Sequence, residues 1–367
     1  KGPRLSELRY SGKWTVNQIH DYSSFFRNET DGVKYNQVHD FDSEGYFTEY
    51  GVLHNNYLKY NGSYIPNLEI SKDYVMVPNQ NFIVVRYSLT NTGNTSLNYS
   101  ILDMLHPNNT TSNNVTAYYD SARKALIVDM SASGQPYLAL GAFETPTYYQ
   151  VANDADSNLS SSTCSPWYTF DNDGTLKNNS SVTTKDPSVG FVQNVTVAAN
   201  NTSYVYFYLA LGTSQSNIQS IIDTVRANTG SYWFDYTKNI YNNWFSGKTI
   251  PEFSDADLTT VIKRNLVMIK NCIRPGNTTE DGAFPATTNP YNYSSKVWAR
   301  DSAVTALALD AAGFTAEAGT YWKWLAARQA ANGNFETCYW LWDNTDANFV
   351  EPEYDSMGIF LVGVYRH

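Results

Sequence analysis

A tryptophan, an arginine and an aspartate crowd into the five residues Val297-Trp298-Ala299-Arg300-Asp301, just ahead of helical spacing over 302–312. The indole offers a flat apolar face, the guanidinium a planar fork of donors, and the carboxylate a fixed acceptor. A pyranose ring presents an apolar face and a fan of hydroxyls, so the three groups together suit a sugar. The same residues also read as an ordinary helix start, with Asp301 as N-cap, Trp298 in the core and Arg300 in a surface ion pair.

Helices must position these groups. From Ser254 the pattern is helical: Ser254-Asp255-Ala256-Asp257 resembles a capping box with Asp in place of Glu. Leu258, Val261, Ile262, Met268, Ile269, Cys272 and Ile273 then make one apolar stripe, ended by Pro275-Gly276. After a loop and the 302–312 helix, which stops at Gly313, a helix is predicted over 316–331 with Thr315 as N-cap and Gly333 as its stop. A last one starts near Asp355 and is still apolar at Ile359-Phe360-Leu361-Val362-Gly363-Val364-Tyr365. A segment of that kind needs a cover, so further polypeptide is expected against it.

The first part of the chain, 1–213, reads as β. Runs such as Phe82-Ile83-Val84-Val85-Arg86-Tyr87, Ala125-Leu126-Ile127-Val128 and Tyr204-Val205-Tyr206-Phe207-Tyr208 are separated by turn clusters, which predicts a large antiparallel sandwich. Residues 153–184 look like a long polar excursion from the sheet. Helical spacing over 216–227 and 232–244 makes 214–250 a helical linker, and 251–367 a second domain.

Charged residues are 16%, below the roughly 25% usual for soluble proteins. The net charge of -10 disfavours nucleic acid and anionic membranes as partners. No run is apolar enough for a membrane span or a signal segment, and the start Lys1-Gly2-Pro3 reads as a mature or trimmed polypeptide. Asn-x-Ser/Thr sequons stand at Asn28, Asn61, Asn94, Asn98, Asn109, Asn114, Asn158, Asn179, Asn194, Asn201, Asn277 and Asn292, with Asn108, Asn178 and Asn200 as overlapping neighbours that crowding would keep bare. Their density argues for an extracellular or cell-surface glycoprotein. Cys164, Cys272 and Cys338 allow one disulfide without choosing the pair.

The helical part resembles the catalytic domain of glycoside hydrolase family fifteen, the glucoamylases and glucodextranases. The resemblance rests on Trp298-Ala299-Arg300-Asp301, Gly282-Ala283-Phe284-Pro285-Ala286, Gly313 with Glu317-Ala318, Trp324-Leu325, and Pro352-Glu353-Tyr354-Asp355. It spans 230–367, and covers 1–213 only in layout. It implies an N-terminal β-supersandwich, a helical linker, and the first helices of an (α/α)6 barrel left incomplete within 367 residues. It also implies that Arg300 and Asp301 clamp ring hydroxyls while Trp298 walls the pocket. Phe349 holds a place where relatives often have Trp, and Glu353 one where they often have Gln; Trp340 and Trp342 read either as a replacement aromatic wall or as core. The implied activity is inverting exo-α-glucosidase action on α-glucans without a cofactor. No position matches the family's acid and base, which are expected beyond His367; Asp355 reads as a helix cap.

Two other readings remain. One is a surface or filament-associated glycoprotein that kept the fold and lost catalysis. The other is a disaccharide phosphorylase, which shares the layout but would need a phosphate site. Asp171-Asn172-Asp173-Gly174 reads as a turn rather than a calcium loop, and His20, His39, His54, His106 and His367 show no metal-ligand spacing.

Overall fold

Strands β1 to β8 are, in order, Ile19–Asn28, Lys34–Tyr35, Phe41–Glu49, Val52–Tyr60, Ser63–Tyr64, Leu68–Met76, Phe82–Asn91 and Leu97–Pro107. β9 to β12 are Val115–Asp120, Ala125–Asp129, Tyr137–Ala142 and Tyr148–Asn153. Helix α1 (Pro166–Asp173) precedes β13 (Ser181–Thr184), β14 (Pro187–Val197) and β15 (Thr202–Gly212). Then come α2 (Gln215–Arg226), α3 (Gly230–Phe245), α4 (Ala256–Cys272), β16 (Lys296–Trp298), α5 (Ala299–Ala311), α6 (Thr315–Ala326), β17 (Cys338–Trp340) and α7 (Asp355–Arg366). This computed structural model describes residues 18–30, 32–35, 41–49, 52–60, 63–273, 282–286, 296–341, 343–349 and 354–367.

The strands of the first part form two antiparallel sheets, one of five strands in the order β12-β14-β8-β1-β2 and one of ten. The larger runs β13-β9-β10-β11-β15-β7-β6-β4-β3, with β5 on β4. Side-chain alternation sorts each strand between two cores. Ile83, Val85, Tyr87 and Leu89 of β7 join Val205, Phe207 and Leu209 of β15 against Tyr22, Phe26, Ile101 and Phe191 of the smaller sheet. The opposite faces, Phe82 and Val84 with Tyr208 and Ala210, are covered by Ile218, Ile222 and Val225 of α2 and Trp233 and Phe234 of α3. Central strands buried on both sides become near-continuous apolar runs, which is why Phe82-Ile83-Val84-Val85 lacks simple alternation. The outer face of the five-stranded sheet is covered by Phe170 of α1 and by Leu176.

A charged cluster sits within this sandwich. The Asp103 carboxylate accepts from the hydroxyls of Tyr22, Tyr87 and Ser24. The Lys72 ammonium donates to Ser24 Oγ at 2.6 Å, lies 3.9 Å from Asp103, and faces the rings of Tyr22, Tyr74 and Tyr87 at 4.3–5.1 Å. Burial pulls Lys72 down to about 8 against the opposing pull of Asp103 and Asp21, pushes the Asp103 carboxyl up, and drives Tyr22 and Tyr87 well above the usual phenol range.

The chain divides into two compact units, Lys1–Asn239 and Ile240–His367. In the second, Trp322, Trp324 and Tyr321 of α6 pack with Ala299, Ala303 and Ala306 of α5, and Trp244 stacks on Phe314 at 4.0 Å. Small residues on α5 let the helices approach closely. Gly363 of α7 lies so near Trp322 that a β-carbon there would sit 2.1 Å from the indole. Asp310 accepts from Trp322 Nε1 at 3.2 Å and pairs with His367 at 2.8 Å, tying α5, α6 and the end of α7. Glu317 accepts from Trp244 Nε1 and pairs with Lys270 at 3.0 Å.

The helix starts differ from expectation. Asp255, not Ser254, caps α4, accepting from Asp257 N. α5 starts at Ala299, so Asp301 lies inside its first turn and is no N-cap. Thr315 is the first residue of α6, which ends at Ala326, short of the predicted 331. Asp355 is likewise inside α7. Asp171, Asn172 and Asp173 form the last turn of α1, closed by Gly174 at φ +70°, and no disulfide joins any two of Cys164, Cys272 and Cys338. No helix among the described residues is long and apolar enough to cross a membrane.

Three predictions follow from the buried Lys72–Asp103 pair and the partly buried Glu317. Lys72 is charged below about pH 8 in the folded state and below about 10.5 when unfolded. The unfolded chain therefore binds more protons between those values, and sandwich stability from this group rises with pH across that window. Hydrogen exchange of the β8 amides measures it. Asp103→Asn strands the buried ammonium and should cost about 3–5 kcal/mol by the same measure. For Glu317, burial opposes ionisation, but the Trp244 and Lys270 hydrogen bonds and the lysine charge hold its carboxyl below the usual value of 4.5. Its contribution is present above pH 4.5 and fades as pH falls through the folded value. Glu317→Gln should cost about 1–2 kcal/mol at pH 6, and the gap should close on acidification in thermal melts.

Candidate functional site

The W-x-R-D segment is built on a short two-stranded antiparallel ladder, its strands separated in sequence by α5 and α6, with the first strand leading into a helix. β16 pairs antiparallel with β17, matching Lys296 with Trp340, Val297 with Tyr339, and Trp298 with Cys338. Alternation sends Val297 and Tyr339 to the helical core. Lys296, Trp298, Cys338 and Trp340 share the other face. Trp298 is buried there beside Cys338, Ala347, Ala286 and Trp340, with the Phe349 ring edge-on at 4.6 Å. The Lys296 ammonium stands 5.2 Å from the centre of the half-exposed Trp340 ring. Trp298 is therefore core at 7% exposure, not the pocket wall expected from the resemblance, and the rings open to solvent beside it are Phe349, 41% exposed, and the partly buried Trp340.

The entrance of α5 has no side-chain cap. It is held by neighbours instead. Ser302 Oγ donates to Phe284 O at 2.8 Å, and Tyr321 Oη donates to Ala299 O at 2.7 Å. The loop carrying Phe284 depends on Gly282, at φ +99°, where a β-carbon would come within 2.6 Å of the Thr320 backbone. Burial, then the neighbouring Tyr339 and Asp301 charges, push the Tyr321 phenol well up, so it stays a donor.

Arg300 and Asp301 lie at the surface on the first turn of α5. Arg300 is 50% exposed and pairs through Nη1 with Oδ2 of Asp355, itself 44% exposed. The structure therefore joins Trp298 with Trp340, and Arg300 with Asp355, the residue read from sequence as a cap. Asp301 flanks the helix entrance as an exposed acceptor. Glu353 and Trp342 lie outside the described residues.

The sequons differ in access. Asn94, Asn98, Asn114, Asn158, Asn194 and Asn201 are exposed. Asn28 is buried, with its side-chain oxygen accepting from Thr30 N. The amide nitrogens of Asn109 and Asn179 each donate to two backbone carbonyls. A glycan at any of these three would displace native packing or hydrogen bonds. Asn61, Asn277 and Asn292 lie outside the described residues.

No family model matches the chain. No curated protein sequence matches it either. Solved structures do. A bacterial glucoamylase complexed with acarbose superposes with a TM-score of 0.67 at 13% identity, over 96% of this chain and 51% of that one. A protein described as a kojibiose phosphorylase, from the human microbiome, superposes with a TM-score of 0.58 at 10% identity, over 95% of this chain and 46% of that one. The chain spans about half the length of each. It has a β plus α fold of the kind found in these carbohydrate-active enzymes.

Proposed function

We propose that this chain supplies the β-supersandwich and the sugar-gripping helices of a secreted, inverting exo-α-glucosidase of the glucoamylase type, acting on α-glucans. One observation carries the reading: the likeness to an acarbose-bound glucoamylase runs through both units, and Trp298, Arg300 and Asp301 stand at the entrance of α5 within that fold. In this reading 1–213 is the supersandwich, 214–250 the linker and 251–367 the opening of an (α/α)6 barrel. Arg300 exchanges Asp355 for ring hydroxyls, Asp301 accepts from a hydroxyl, and Trp340 offers a ring face. Glu353 joins the same subsite. The general acid and base belong to further barrel polypeptide, set roughly 6.5–9.5 Å apart to admit the attacking water. That polypeptide also covers the exposed Leu361, Val362 and Val364 of α7. The exposed sequons carry glycans on an extracellular or surface protein.

The second structural likeness favours one alternative, a disaccharide phosphorylase. Full-length protein incubated with maltose should release β-glucose without phosphate. Glucose 1-phosphate formed only when phosphate is added would select the phosphorylase instead. Neither turnover nor acarbose binding would leave a glycoprotein with a purely structural role. For the binding residues, Arg300→Ala should change unfolding stability by under about 1 kcal/mol, because its ion pair is exposed. The same change should weaken acarbose binding by about 1.5–3 kcal/mol, the scale of a charged hydrogen bond, read by calorimetry. Unchanged affinity would remove Arg300 from the site.

A further inference from the structure

At one end of the five-stranded sheet, three segments distant in sequence bring together an imidazole and two carboxylates. His106 closes β8, Asp154 follows β12, and Asp186 precedes β14. The ring Nε2 of His106 is 2.7 Å from Asp186 Oδ1. Its Nδ1 is 3.4 Å from Asp154 Oδ2, and the ligand-type atoms of the three residues all lie within 4.8 Å of one another. The two distances differ in kind. With the Nε2 proton given to Asp186 across the 2.7 Å contact, Nδ1 is the ring atom that faces Asp154. A separation of 3.4 Å is long for a charge-assisted hydrogen bond. It equals the ligand–ligand edge of a tetrahedral ion with bonds of about 2.1 Å, the usual length for zinc on nitrogen and oxygen.

The carboxylates are set by backbone rather than by chance. Asp154 N donates to Asp186 O at 2.8 Å, and Ser165 Oγ donates to Asp154 Oδ1 at 3.2 Å. A third acid, Asp21, stands opposite His106 in the β1–β8 register. Side-chain exposures of 13% for His106, 25% for Asp154 and 46% for Asp186 give solvent a way in to complete a coordination shell.

We propose that His106 Nδ1 and Asp154 Oδ2 bind a divalent cation of the zinc class, with Asp186 orienting the imidazole from behind and water filling the remaining positions. A carboxylate on the far ring nitrogen is the usual companion of a metal-bound histidine. An imidazole ligand favours zinc over magnesium or calcium. The bound ion pins the 154–165 excursion to the ends of β8 and β14, so its role is structural.

The test uses chelator-treated protein titrated with Zn²⁺ in a calorimeter, with thermal melts in parallel and Mg²⁺ and Ca²⁺ as comparisons. Wild-type protein should bind zinc and melt higher with it, since a ligand of the folded state alone raises stability. His106→Ala should abolish both effects. Asp186→Asn should weaken binding by about tenfold or more through loss of ring orientation. Asp154→Asn keeps the side-chain shape and decides the matter where His106→Ala fails to fold. The proposal is overturned if wild-type protein shows neither heat nor a melting shift, leaving a plain ion triad. It is equally overturned if the folded His106 or Asp154 variant binds zinc as tightly as wild type, which would place the ion on the thiols or elsewhere.

Discussion

The position of the α5 entrance is the constraint on which the rest of the candidate site depends. Most helices settle their first turn with a polar side chain at the N-cap, and a residue used that way is lost to a ligand. Here Trp298 occupies the cap position, and the anchoring is done from outside by Tyr321, Ser302 and the β16–β17 ladder. Arg300 and Asp301 stand at the surface on the first turn and do not cap the helix. The side-chain anchors Ser302 and Tyr321 are buried, and each donates to a backbone carbonyl. Gly282 belongs to the same device, because only a residue without a β-carbon lets the Phe284 loop lie against Thr320.

The sandwich solves a different problem, that of a wide sheet with two faces to bury. α2 and α3 cover one face of the ten-stranded sheet, and the five-stranded sheet covers the other. The core between the sheets is unusual in admitting a lysine and an aspartate among tyrosines. Each phenol is an apolar ring with one donor at its tip. Tyr22 and Tyr87 therefore fill volume while donating to Asp103, and their ring faces receive the Lys72 ammonium. The high tyrosine content, 29 residues, serves packing of this kind as well as any surface role.

Element type was legible where one physical signal dominated. The spacing of Leu258, Val261, Ile262, Met268, Ile269, Cys272 and Ile273 marks α4 as a helix but misplaces its buried face: Leu258, Val261 and Met268 are exposed, and the fully buried residues are Leu266 and Val267. The β-branched runs mark β7, β10 and β15. Residue type alone misplaces helix starts at polar residues that resemble caps. Asp301 and Thr315 fall inside their helices because tertiary anchors fix the first turn, and no local rule reports those. Ion pairs across long separations were equally invisible. Nothing in the spacing of positions 106, 154 and 186 predicts convergence; it arises because β8, β12 and β14 are neighbours in one sheet. Arg300 and Asp355 meet for a similar reason, as first-turn residues of the packed helices α5 and α7.

Two lysine- or arginine-to-aspartate pairs illustrate how solvent decides what a charge is for. Lys72 and Asp103 are fully enclosed, so separating them exposes each to the whole cost of an uncompensated ion. Such a pair is sealed inside the sandwich core, where it acts on packing and folding. Arg300 and Asp355 are each about half exposed, and water screens their attraction to within about 1 kcal/mol. In the proposed sugar site, ring hydroxyls that offer the guanidinium fork two acceptors would compete with a half-solvated carboxylate on nearly equal terms. The weakness of the surface pair is what that proposal requires: the arginine would exchange the carboxylate for a better-fitting set of oxygens at small cost.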